Sequence, residues 1–141
     1  MAAANAVDTM LDGVTSIELI SLYPHSGWDT EEVRQKDTGP RLSRWKISGH
    51  AVLADRKKIA DLRESLIGGI KGSDGGMMGC FNPRHALKFK NGGEEIVVIV
   101  CFECLQGEIK GSKKIGGFRT NNSPEPVFNR IFEDQGLEIS R

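Results

Sequence analysis

Apolar and polar residues alternate along several stretches of the chain in the way that strands require. Over residues 43–53 the apolar residues are interleaved with polar ones, a pattern typical of a strand with one buried face. These apolar residues are Trp45, Ile47, Ala51 and Leu53. Residues 16–23 are rich in Ile and Leu and stop at Pro24, so they predict an earlier strand.

A β-hairpin is predicted in the middle of the chain. Residues 84–90 and 94–105 flank Asn91-Gly92-Gly93, and Asn-Gly is the strongest short hairpin signal. The second arm is apolar on both faces over residues 96–102, which predicts a central strand covered on each side. One or two short strands are expected in residues 107–119.

Two amphipathic helices are predicted. Asp55 is a good N-cap for a helix whose apolar residues recur every three or four positions. They are Ile59, Leu62, Leu66, Ile67 and Ile70. Ser123-Pro124-Glu125 begins the second helix, and Gly136 ends it.

These elements predict an α+β fold. The expected architecture is a mostly antiparallel sheet of four to five strands with two helices, in the order β-β-α-β-β-β-α. Residues 1–15 are interpreted as a flexible leader, residues 24–42 as a long surface loop, and residues 16–141 as a single domain.

Composition narrows the function classes. The chain has 141 residues and a formal net charge of zero, which does not favour nucleic acid or an anionic membrane as a partner. The longest strongly apolar run, residues 96–102, is too short to span a bilayer, so no membrane span is predicted. Without a recognisable export signal the expected location is the cytoplasm, although a trimmed exported precursor would read the same way.

Three cysteines and one histidine form the candidate site. Cys80, His85, Cys101 and Cys104 are the ligand set of a Cys₃His structural zinc site. If residues 94–105 are one straight strand, however, Cys101 and Cys104 point to opposite faces of the sheet.

The hairpin register limits the site further. A two-residue turn at Asn91-Gly92 pairs His85 with Val98, which places His85 about 20 Å along the strand from Cys104. A four-ligand zinc site then needs a break in the strand at Asn82-Pro83 or a bulge near Cys101. The three thiols are left with three interpretations: buried and inert, a redox pair, or a metal site.

No nucleophile, base and orienting group can be recognised together, so the sequence favours a protein that is not an enzyme. Two function hypotheses follow. The first is a small non-catalytic binding or accessory domain that contacts an unknown protein or small molecule through residues 24–42 and 72–85. Tyr23, His25 and Trp28 are candidates to line that surface. The alternative is a zinc-binding or thiol-redox protein built on Cys80, Cys101 and Cys104.

Two short motifs also resemble those of a known group of proteins. Cys80-Phe-Asn-Pro-Arg-His85 and Cys101-Phe-Glu-Cys104 occur in this order, followed by Ser123-Pro-Glu-Pro-Val-Phe-Asn129. The chain resembles, from about residue 16 to its end, a family of short uncharacterised bacterial proteins that is common in planctomycetes. The resemblance implies no activity.

Overall fold

The computed structural model describes residues 2–76, 79, 81–111 and 116–140. Its helices are α1 (Ala2–Leu11), α2 (Glu31–Lys36), α3 (Arg56–Lys71) and α4 (Glu125–Asp134), with a 3-10 helix at Pro24–Trp28. Its strands are β1 (Ile17–Leu22), β2 (Arg41–Leu42), β3 (Trp45–Leu53), β4 (His85–Asn91), β5 (Glu94–Cys101), β6 (Gln106–Lys110) and β7 (Gly116–Arg119).

The strands form one antiparallel sheet in the order β2-β3-β1-β4-β5-β6-β7. The sheet curls into a half-barrel. Lys110 of β6 donates a 3.0 Å hydrogen bond to Ser43 in the turn between β2 and β3, although three strands separate β6 from β3. Lys110 pairs with Val97 and so shares its face of the sheet. That face is therefore the concave one.

The predicted sheet of four to five strands with two helices, in the order β-β-α-β-β-β-α, is wrong. Within the described residues the sheet has seven strands and four α-helices accompany it. Two of the extra elements, α2 and β2, have six and two residues, too few to show a period in the sequence. Both lie where a continuous loop was expected.

The remaining extra helix, α1, stands where a flexible leader was expected. Its side chains Ala4, Val7 and Leu11 are buried in the main core. Arg63 of α3 holds it by donating to the Asp8 carboxylate at 2.8 Å. Small apolar residues at helical spacing give a weak signal, which explains why the sequence pattern alone does not reveal this helix.

Two apolar clusters cover the two faces of the sheet. The larger lies between the sheet and helices α1, α3 and α4. The smaller lies on the concave face and contains Trp45, Phe81, Ile99, Cys101 and Cys104. Strand β5 contributes to both clusters, so the predicted burial of its two faces is confirmed. No helix in the described part of the chain is long and apolar enough to cross a membrane.

The hairpin exists, but its predicted register is wrong. Asn91 pairs with Glu94, so the turn is Gly92-Gly93, and His85 faces Val100 instead of Val98. Both glycines have positive φ, 61° and 82°. A type I′ turn needs positive φ at both central residues, and two glycines adopt it without a Cβ penalty.

Candidate functional site

Cys101 and Cys104 lie together at a turn. Strand β5 ends at Cys101, and residues 102–105 turn the chain back into β6. The two cysteines form a disulfide with their Cα atoms 5.2 Å apart, and the Cys104 amide donates to the Cys101 Sγ at 3.2 Å. The prediction of one strand through residue 105 is therefore wrong, and both side chains enter the concave cluster.

Residues 101–105, which we call the cysteine turn, are hydrogen-bonded to the segment that precedes β4. The Asn82 amide donates to the Cys104 Sγ at 3.4 Å. The Arg84 Nη1 donates to the Glu103 carboxylate at 2.8 Å and to the Asn82 carbonyl at 3.3 Å. Both cysteine side chains are only 1 % exposed, so the disulfide is part of the packed interior.

His85 lies on the opposite face of the sheet. Its ring meets Phe102, Phe128 and Phe132 in edge-on contacts, and its Nε2 lies 2.7 Å from the Asn129 Oδ1. Burial lowers the pKa of His85 from 6.5 to about 4, against the opposing effect of the Asn129 hydrogen bond. The ring is therefore neutral near pH 7 and donates its Nε2 proton to the Asn129 amide oxygen.

The residues proposed as zinc ligands do not fit a four-ligand site in the described part of the chain. His85 and Cys101 point into different clusters, and the two sulfurs of Cys101 and Cys104 are bonded to each other. Among the described residues no group of three or more His, Cys, Asp or Glu side chains could hold a metal ion. Cys80 lies outside the described residues.

Ser21 is a neighbour of His85 that the sequence does not suggest. The two residues pair across β1 and β4, and the Ser21 hydroxyl is buried with no hydrogen-bond partner among the described residues. Serine, histidine and Asn129 thus follow the order of a nucleophile, a base and an orienting group. Ser21 and His85 are each 1 % exposed, and a base whose pKa is about 4 is weak near neutral pH, so we assign them no catalytic role.

We expect protein denatured without reductant to titrate two fewer thiols than protein denatured with reductant, because Cys101 and Cys104 are joined. Reduction should lower the free energy of unfolding by about 2 kcal/mol, the entropic estimate for so short a loop. The double variant Cys101→Ser/Cys104→Ser is the control, since reductant cannot change its stability through this bond. Equal thiol counts under the two conditions would contradict the disulfide.

A second surface is built by the segment that was expected to be a loop. Four large apolar side chains are exposed among the described residues, and three of them lie in this segment or at its start. They are Tyr23, Trp28 and Val33, which are 45 %, 58 % and 44 % exposed. The fourth, Val52, lies on β3.

This segment is held rigidly. The Ser26 hydroxyl donates to the Tyr23 carbonyl at 2.6 Å and accepts the Lys46 amide at 2.7 Å. Arg41 forms an ion pair with Asp29 at 2.9 Å.

The end of the segment is tied down in a similar way. The Lys46 ammonium reaches the Asp37 carboxylate at 2.6 Å, and this hydrogen bond lowers the pKa of Asp37. Gly27 lies so close to the Trp45 indole that a Cβ atom there would clash. A side chain at that position would push the 3-10 helix away from the core.

Trp28 is fixed in place although its ring is exposed. Its Nε1 donates to the Asn82 Oδ1 at 2.8 Å. The Arg44 guanidinium lies 5.5 Å from the centre of the Trp28 ring and 4.7 Å from that of Trp45. The Arg34 Nη2 donates to the Gly27 carbonyl at 3.3 Å. We refer to Gly27, Trp28, Arg34 and Arg44 as the Trp28 platform.

No family model, no curated protein and no solved structure matches this chain. The function is therefore argued from the geometry of the cysteine turn and of the Trp28 platform.

Proposed function

We propose that this protein is a small non-catalytic binding or accessory domain whose contact surface is centred on the Trp28 platform. The observation that carries the proposal is the concentration of exposed apolar side chains in one rigid segment, Tyr23, Trp28 and Val33. Exposed apolar groups that lie together commonly mark interaction sites, whereas scattered ones need no explanation.

The composition and rigidity of the surface support the same proposal. Trp, Tyr and Arg dominate the residues that carry binding energy at protein interfaces. The hydrogen bond from Trp28 to Asn82 and the bonds to Ser26 fix the segment before any partner arrives. Binding of a partner therefore costs little conformational entropy, because this segment is already ordered. We further propose a cytoplasmic location and membership of the family of short bacterial proteins that the motifs resemble.

The test is a selection of peptides from a random display library on the folded full-length protein. We expect Trp28→Ala to weaken the selected peptides by about tenfold or more, because truncation of a central Trp removes a large apolar contact. Val52→Ala is the matched control, since Val52 is exposed and apolar but lies on β3 away from the segment. Unchanged binding to Trp28→Ala, or a selection that yields no binding peptide, would contradict the proposal.

A second candidate function is a thiol-redox protein, and one specific observation favours it. Cys101 and Cys104 are joined at a turn, and Cys-x-x-Cys is the arrangement that thiol oxidoreductases use. The burial of both side chains argues against it, because thiol–disulfide exchange requires access to a sulfur atom. Retention of the bond in folded protein treated with a dithiol would exclude this function.

A further inference from the structure

Two guanidinium groups contact the Gly27-Trp28 pair, and neither forms an ion pair within the described residues. Arg34 donates to the Gly27 carbonyl, and Arg44 lies over the Trp28 ring. The salt bridges of the described residues include Arg41, Arg63 and Arg84 but neither of these two.

The donors of the two groups are also incompletely used. The Arg34 Nε is buried and has no hydrogen-bond partner in the part of the chain that the structure describes, and a buried donor without an acceptor costs free energy. Arg44 is exposed, and its described contacts through the guanidinium are with the faces of Trp28 and Trp45. Stacking on a ring leaves the edge of a guanidinium, where its N–H donors point, open to an acceptor.

We infer that the Trp28 platform binds a peptide segment of a protein partner in which an Asp or Glu side chain stands beside an apolar one. This inference rests on the proposed function and names the chemistry of the partner. A carboxylate matches the planar fork of Arg44 in two parallel hydrogen bonds, and the adjacent apolar side chain covers the exposed face of Trp28.

The surroundings of the platform favour a single carboxylate over a polyanion. Glu31 is exposed in the first turn of α2, Glu32 is paired with Lys36, and Arg41 is paired with Asp29. Glu31 lies on the same short helix as Arg34, and the net charge of zero adds no general attraction for a long phosphate backbone. A single carboxylate needs only the fork of one guanidinium, whereas a polyanion needs an extended basic surface.

The experiment uses the peptides selected on the full-length protein. We expect them to be enriched in Asp or Glu beside an apolar residue, relative to the unselected library. Replacing that Glu by Gln in a synthetic peptide, or Asp by Asn, should weaken binding by about tenfold, and so should Arg44→Met in the protein. The affinity of the parent pair should also fall as salt is raised.

Arg130→Met is the matched control, because Arg130 is also an exposed arginine but lies on α4. A short fluorescein-labelled single-stranded DNA is tested as the competing class of ligand. Peptides that bind at Trp28 but show no acidic enrichment and no loss with Arg44→Met would overturn the inference and leave the proposed function intact. Binding of the DNA through Arg44 in preference to acidic peptides would overturn it as well.

Discussion

Between roughly pH 7 and pH 5 the free energy of unfolding should fall by about 2 kcal/mol, through His85 alone. The unfolded chain takes up a proton on this histidine near pH 6.5, whereas burial among three phenylalanine rings holds the pKa of the folded state at about 4.

The direction of the effect follows from which state binds the proton. The pKa of the folded state is depressed, so His85 contributes its full stability above the unfolded pKa of 6.5. Below that value the unfolded state binds a proton that the folded state does not bind, and stability is lost as the pH falls toward 4. The full loss is about 3 kcal/mol. Most carboxylates titrate in the lower half of this pH range or below it, so in the upper half the loss is due mainly to His85.

Denaturant unfolding across the pH series measures this effect. His85→Gln should be less stable than the parent near pH 7, but its stability should change little between pH 7 and pH 5. His50→Gln is the control: His50 lies exposed on β3 beside Glu18, and this variant should keep the slope of the parent. A slope that survives His85→Gln would show that another group is responsible.

We expect Trp45→Ala to lower the free energy of unfolding by about 3–5 kcal/mol, the usual range for a large aromatic residue in a core. Trp45 is 1 % exposed and meets the Phe81 ring edge-on with the centroids 5.3 Å apart. Gly27 lies against the Nε1 side of its indole, so the cavity opens between the 3-10 helix and the sheet.

Trp45→Phe should cost much less, about 1–2 kcal/mol. The Trp45 Nε1 is buried and finds no hydrogen-bond partner among the residues described, so removing it also removes an unsatisfied donor. Equilibrium unfolding of the two variants tests the pair of values. If the two costs are equal, an aromatic ring at this position contributes little to the cluster and the prediction is wrong.

The parts of the fold that the sequence predicts correctly are those with long periodic patterns. Helix α3 begins after Asp55, whose carboxylate accepts the amides of Lys57 and Lys58, and Leu62 and Leu66 are buried as their spacing predicts. The hairpin turn moves by one residue: Gly92 and Gly93, and not Asn91 and Gly92, take the two positive-φ positions, which the type I′ turn also accepts.

The site is less predictable because its geometry depends on where one strand ends. Residues 96–102 are continuously apolar, and nothing local shows that pairing stops where Cys101 meets Gln106. That pairing and the turn after it bring Cys104 back beside Cys101. The rigidity of the surface segment depends on contacts between distant residues, such as that of Trp28 with Asn82, which no local pattern records.

The strand order has a consequence for how fast the sheet forms. Strands β4, β5 and β6 are each paired with the next strand in the chain, so loop closure for these pairings costs little entropy. Strand β1 pairs with β4 across α2, β2, β3 and α3, which is a long-range closure. The ladder between β1 and β4, where Ser21 faces His85, therefore closes a longer stretch of chain than the other pairings of the sheet described here.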